Sequence, residues 1–261
     1  MLSKSDGLGK KQLVLCDKGI NNGKEVFLDI GDQEPVALFG GYYNAASINN
    51  KGEIIFINRE SIINSPSSPI SSFSLPDGEK ASSVACCNDV IVVLSSSGRV
   101  FSSVIEKGSN VLKFSEVNEL SSQEIVCVSG TYEHCICVSR KGRVFARGSN
   151  SHGQLGLGKE TSSVSSFEEI SSLSGLEIRA AYAGGRHSLF ETREGKILSC
   201  GWNICGQLFL SNGEGEIIYL PRETSITNGA TFCIAGWSLS VIFIGGEPPP
   251  NTPNRRIQHH L

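Results

Sequence analysis

Two histidines 53 residues apart, His134 and His187, each precede a residue that a base could activate: Cys135 in the first case, Ser188 in the second. A base beside a nucleophile is the minimum for acyl-transfer chemistry. Neighbours in an extended strand, however, project to opposite faces, and both histidines open apolar runs. The nucleophile elbow Gly-x-Ser-x-Gly is absent from the sequence. The stretch Gly153-x-x-x-x-Gly158-Lys159 imitates a phosphate-binding loop, but Glu160 stands where Ser or Thr would reach Mg²⁺. Residues 161–166 offer no helix whose N-terminus could face a phosphate. The pair Glu168-Glu169 reads as a solvated face as readily as a site. Nine cysteines lie mostly in apolar runs without a Cys-x-x-Cys pair, which predicts reduced core thiols. Cys135 and Cys137 would share a strand face about 7 Å apart, unlike usual zinc spacing. The sequence therefore predicts no catalytic residue, no metal and no cofactor.

The elements that position these residues repeat. A shift of 53 pairs His134 with His187, Gly142 with Gly195, Gly148 with Gly201, Asn150 with Asn203, and Gly153-Gln154-Leu155 with Gly206-Gln207-Leu208. The central turn, x-Gly-x-[Val/Ile], recurs at Gly52, Gly98, Gly142 and Gly195, spaced 46, 44 and 53 residues apart. Each glycine lies between short β-branched runs, such as 45–48 with 54–57 and 90–94 with 100–104. Glycine supplies the positive φ that a tight hairpin needs. Units of about 45–50 residues with several short strands match a propeller blade and exceed a leucine-rich repeat. No long segment has helical periodicity, so the predicted fold class is an all-β propeller.

The charge balance, 23 basic against 26 acidic side chains in 261 residues, gives no basic field for direct nucleic-acid binding. Residues 1–11 carry lysines with no apolar stretch behind them, and no segment approaches the ~18 apolar residues of a membrane span. The expectation is a soluble intracellular chain, cytoplasmic or nuclear, with no membrane partner.

Gly184, His187-Ser188, Gly195-Lys196-Ile197-Leu198, Gly201-Trp202-Asn203 and Gly206-Gln207-Leu208, with the run from Gly148 to Gly158, resemble the repeats of the regulator of chromosome condensation family. The likeness is strong over 126–210 and extends over about 35–246. The two earlier units keep the hairpin but have Asn44 and Val90 at the histidine position. The resemblance implies a β-propeller, and the family's usual ring has seven blades. This chain is too short for seven at its own spacing. Our reading is five blades: units of about 35–80, 81–125, 126–178 and 179–230, and a last blade in which 231–246 joins strands from 11–30. N- and C-terminal strands sharing one blade would close the ring and remove its exposed edges. The propeller then spans 1–246, followed by a Pro-rich tail, 247–261, whose Pro250-Asn251-Thr252-Pro253-Asn254-Arg255 has the form of a polyproline ligand.

His134, His187 and the four turn glycines are read as structural, each imidazole holding its own blade's turns. The two residues before each histidine position form the bend between the first two strands, and all such bends must share one rim. They are Tyr42-Tyr43, Asn88-Asp89, Tyr132-Glu133, Gly185-Arg186 and Trp237-Ser238. Three of the five carry Tyr or Trp, although the chain has only five tyrosines and two tryptophans. Tyr, Trp and Arg dominate binding hot spots. The predicted partner-binding residues are Tyr42, Tyr43, Tyr132, Glu133, Arg186 and Trp237, on a non-catalytic module that presents this rim to a protein. The alternative that the resemblance implies is nucleotide exchange on, or regulation of, a small GTPase.

Overall fold

The computed structural model describes residues 2–5, 11–16, 25–30, 33–41, 43–60, 70–106, 109–210, 217–226 and 229–245. Tyr42 and the Pro-rich segment 247–261 lie outside the described residues. The fold is all-β, built of repeated antiparallel sheets. Strands β1 (Leu2–Ser5), β2 (Lys11–Cys16) and β3 (Glu25–Asp29) form a three-stranded sheet. Four four-stranded blades follow. Blade 1 holds β4 (Pro35–Gly40), β5 (Asn44–Asn49), β6 (Ile54–Asn58) and β7 (Ser72–Phe73). Blade 2 holds β8 (Ala81–Cys86), β9 (Val90–Ser95), β10 (Val100–Val104) and β11 (Ser115–Glu116). Blade 3 holds β12 (Ile125–Gly130), β13 (His134–Ser139), β14 (Val144–Ser149) and β15 (Ser163–Glu169). Blade 4 holds β16 (Ile178–Ala183), β17 (His187–Thr192), β18 (Ile197–Trp202) and β19 (Ile217–Glu223). A fifth, two-stranded sheet pairs β20 (Ala230–Ala235) with β21 (Ser240–Ile244).

The four turns between second and third strands use one device. Gly52, Gly98, Gly142 and Gly195 have φ of 78°, 88°, 78° and 80°, and each N–H donates to the carbonyl three residues back. The side chain at that position, Asn49, Ser95, Ser139 or Thr192, accepts the N–H four residues on. This is a type I turn closed by a bulge glycine, whose twist suits the flanking strands. The carbonyls of Gly52, Gly98 and Gly195 then accept from Ala81, Ile125 and Ala230, at the start of the next blade. Each first strand also carries a register shift at that end, as between Pro35/Ala37 and Ile178/Ala180. Such bulges increase local twist.

The apolar cores lie between blades rather than within them. Phe56, Ile91 and Phe101 belong to the cluster joining blades 1 and 2. Val92, Cys137 and Phe145 belong to that of blades 2 and 3. Ile136, Leu155, Phe190 and Cys233 belong to the cluster that runs from blade 3 to β20. Cys86, Cys87, Cys127, Cys135, Cys137, Cys200 and Cys233 are buried free thiols, and Cys205 is exposed.

The expected shared blade is not formed. β2 pairs with β1 on one side and β3 on the other, β20 and β21 pair only with each other, and the sheets do not close. β1 pairs with β2 instead, so that residues 2–29 make a three-stranded sheet of their own among the described residues. The outward faces at the two ends of the array consequently leave Val36 and Leu38 of β4, and Ile234, Val241 and Phe243 of β20 and β21, exposed. Among the described residues no helix is long and apolar enough to cross a membrane.

Candidate functional site

The rim opposite the glycine turns is a chain of bends bonded to one another. Asn44 Nδ2 donates to the Cys87 carbonyl at 2.7 Å, tying blade 1 to the bend of blade 2. The Asn88 N–H donates to the Tyr132 carbonyl at 2.8 Å, tying blades 2 and 3. Thr131 Oγ1 donates to the Gly184 carbonyl at 2.7 Å, and the Gly185 N–H to the Gly236 carbonyl at 3.0 Å. Within each complete blade the end of the third strand folds onto its own bend: the carbonyls of Tyr43, Asp89, Glu133 and Arg186 accept from Arg59, Ile105, Ser149 and Trp202. These bonds satisfy backbone groups that a turn would otherwise leave open.

The histidines sit beneath this rim and act between blades. His134 Nε2 lies 2.9 Å from Ser188 Oγ, and His187 Nε2 lies 2.8 Å from Ser240 Oγ. Ser188 gives its own proton to the Gln154 carbonyl at 2.6 Å, so His134 is the donor in that pair and its Nδ1 is bare. The expectation that each imidazole holds its own blade is thus corrected: it crosses to the following one, because the serine after each histidine position turns back toward the previous blade. Burial holds His134 down to about 3 and His187 to about 4, so both are neutral. Ser188 is committed to this relay. The loop that imitates a phosphate cradle is also occupied: Asn150 Oδ1 accepts from Leu155, Gln154 Oε1 accepts from His152, and the Gly158 N–H donates to Tyr219.

Above the histidines, the rings of Tyr132 and Trp237 meet edge to face with centroids 4.8 Å apart. They belong to blades 3 and 5. Gly185 of blade 4 lies between their bends, and a Cβ there would come within 2.6 Å of the Trp237 carbonyl and 2.9 Å of its ring. Trp237 remains 44% exposed. Beside it the Arg186 guanidinium lies 5.7 Å over the Trp202 ring, and Trp202 meets His152 edge-on at 6.2 Å. Partial burial and the Arg186 charge lower the pKa of His152, against an opposing pull from Glu133.

The bends thus bring Tyr132, Gly185, Arg186 and Trp237 into one patch, with Glu133 on the bend beside Tyr132. Tyr43, 46% exposed, stands on the blade 1 bend. Trp202 and His152 were missed. Trp202 ends β18 and His152 sits in the repeat loop after β14, both in stretches read only as structural repeat positions, although Trp202 is one of only two tryptophans in the chain.

An array of four-stranded antiparallel blades, with inter-blade cores and bonded rims, defines a β-propeller-type repeat protein. Residues 141–190 and 125–154 match the family profile described as the regulator of chromosome condensation (RCC1) repeat. Over 96 residues it is 41% identical to the human probable E3 ubiquitin-protein ligase HERC3, a match covering 37% of this chain and 9% of that protein. Over 101 residues it is 36% identical to the bovine secretion-regulating guanine nucleotide exchange factor, covering 38% of this chain and 21% of that one. The fold superposes on Prp20p of Saccharomyces cerevisiae with a TM-score of 0.68 and 14% identity, covering 92% of this chain and 65% of that structure. The chain therefore spans less than two thirds of each.

Proposed function

We propose that this chain is a non-catalytic interaction module whose bend rim docks a protein partner, with Tyr132, Arg186 and Trp237 at the centre and Tyr43 and Glu133 toward the edge. The observation that carries the reading is the half-exposed Tyr132–Trp237 pair over Gly185. Such a pair offers a large, preorganised apolar area with little rotamer entropy left to lose on binding. An aromatic and arginine cluster at the centre of a rim has the composition of a hot spot, where single truncations cost about 2 kcal/mol or more. The histidines and hairpin glycines serve as the frame. The solved Prp20p structure is described with its binding to Gsp1p and histones, which supports a binding role for propellers of this type.

The test is affinity purification from the native cell with quantitative mass spectrometry, comparing wild type, Tyr132→Ala/Trp237→Ala, and a control altered on the opposite rim at Lys141→Glu. The reading expects a set of proteins captured by wild type and control and lost with the rim variant. Equal capture by all three would overturn it. The likeness to an exchange factor supports a second reading, accelerated nucleotide release from a small GTPase. Faster release of fluorescent GDP in the presence of the purified chain would establish that activity.

A further inference from the structure

Between blades 2 and 3 the bend rim opens into a cavity of about 460 Å³. Arg147 lines it from β14. By strand register, Arg147 opposite Cys135 corresponds to Ile57 opposite Ala45, Ser103 opposite Ile91 and Cys200 opposite Ser188. Ile57, Ser103 and Cys200 are all buried. Of these four equivalent positions, that of blade 3 alone carries a cation. The guanidinium lies 5.8 Å over the Phe167 ring, and it makes no hydrogen bond or ion pair with any described residue.

A guanidinium seated over an aromatic ring, with its donors free, offers its fork to a planar oxyanion. Ser149, Ser163 and Ser165 line the same cavity from the two outer strands of blade 3. From blade 2 comes Asn88, whose side-chain oxygen is buried without a partner, so the wall also asks for a donor. Asp89 and Glu133 stand among the lining residues too. Two carboxylates oppose a polyanion such as a nucleic-acid backbone and favour a cationic neighbour. An acceptor group, a donor group and an adjacent positive charge together describe a peptide: an acidic side chain, its backbone N–H, and a flanking basic residue.

We propose that the cavity between blades 2 and 3 is a side-chain pocket for an aspartate or glutamate of the docked partner, with Arg147 taking the carboxylate, Asn88 a backbone N–H, and Asp89 and Glu133 a flanking lysine or arginine. This deepens the rim reading and rests on the partner lying across the bends, but the pocket is tested by itself.

The full chain, labelled with ¹⁵N, is titrated with three probes: acetyl-Gly-Glu-Lys-Gly-amide, the same peptide with Gln for Glu, and inorganic phosphate. The proposal expects the Glu peptide to shift the Arg147 Nε–H and the Ser149, Ser163 and Ser165 amides saturably, with the Gln peptide at least tenfold weaker. In Arg147→Gln the two peptides become equivalent; in Arg147→Lys, which keeps the charge without the fork, part of the preference survives. Ser163→Ala/Ser165→Ala, which leaves the stacked guanidinium in place, weakens the Glu peptide severalfold and guards against misfolding of the arginine variants. Lys141→Glu, on the opposite rim, leaves the preference unchanged, and because the titration reads the pocket while affinity purification reads the aromatic patch, the two can fail separately. Equal binding of both peptides by wild type, a preference that persists in Arg147→Gln, or phosphate binding tighter than the Glu peptide would each overturn the proposal.

Discussion

Tyr132 and Trp237 are 105 positions apart in the sequence and two blades apart in the array, yet their rings touch at 4.8 Å because the blade between them presents a glycine to the rim. Edge-to-face pairs contribute about 0.5–1.5 kcal/mol beyond their area. A double-mutant cycle on thermal unfolding should return a coupling in that range, with each single alanine variant folded. A coupling near zero would mean that the rings do not meet in solution.

The glycine is the more sensitive handle. In Gly185→Ala the new methyl meets backbone and ring atoms of Trp237 at 2.6–2.9 Å, so the bend of β20 and β21 must move. The expected loss is about 1–3 kcal/mol, as for other overpacked sites. With Trp202 as the only other tryptophan, a changed emission maximum would report the displaced indole. An unchanged spectrum and melting temperature would contradict the contact.

Stability should fall with acid well before the carboxylates titrate. The buried imidazoles have folded pKa values of about 3 and about 4, and unfolding returns each to about 6.5. Below pH 6.5 the unfolded chain therefore binds more protons. The stability contributed by the neutral imidazoles is present above that pH and lost as pH falls toward 4 and 3, at up to about 1.4 kcal/mol per pH unit for each histidine. Urea midpoints between pH 7 and 5 avoid Glu53, Glu79, Glu116 and Glu169, whose pKa values are lowered by hydrogen bonds and ion pairs. His134→Asn borrows the blade 1 solution, where Asn44 makes the inter-blade bond with an amide; it should roughly halve the slope.

Blade 4 also holds a carboxylate, Glu191, that is 1% exposed and paired with Arg179 and, at 2.9 Å, with the Tyr182 hydroxyl. Arg179 reaches on to the Ala230 carbonyl of the next blade at 3.2 Å. Arg179→Met strands a buried charge and should cost about 3–5 kcal/mol. Tyr182→Phe removes one hydrogen bond to a charged group and should cost about 1–3 kcal/mol. Chemical denaturation orders the two, and the opposite order would contradict the network.

What could be read from residues alone was whatever the backbone demands locally. Gly52, Gly98, Gly142 and Gly195 announce hairpins because few other residues take a positive φ, and the 53-residue shift announces blades because the frame repeats. The rim position of Tyr132, Arg186 and Trp237 followed from that frame. Contacts between blades did not. Ser188 looks like the neighbour of His187, and only the twist of one sheet on the next brings it to His134. The Tyr132–Trp237 contact depends on the missing side chain at Gly185. The shared blade was not legible either way, since strand propensity in 11–30 does not say which strands those residues will pair with. Arg147 was passed over because it sits inside an apolar strand pattern, where its side-chain face becomes meaningful only beside blade 2.

Hydrogen–deuterium exchange on the chain co-purified with its partner tests the docking rim most directly. The account predicts protection concentrated at residues 131–133, 184–186 and 236–240, with the opposite turns at 50–52, 96–98, 140–142 and 193–195 unchanged. Protection of those turns, or of the exposed faces of β4 and β21, with the bends still exchanging freely, would contradict it.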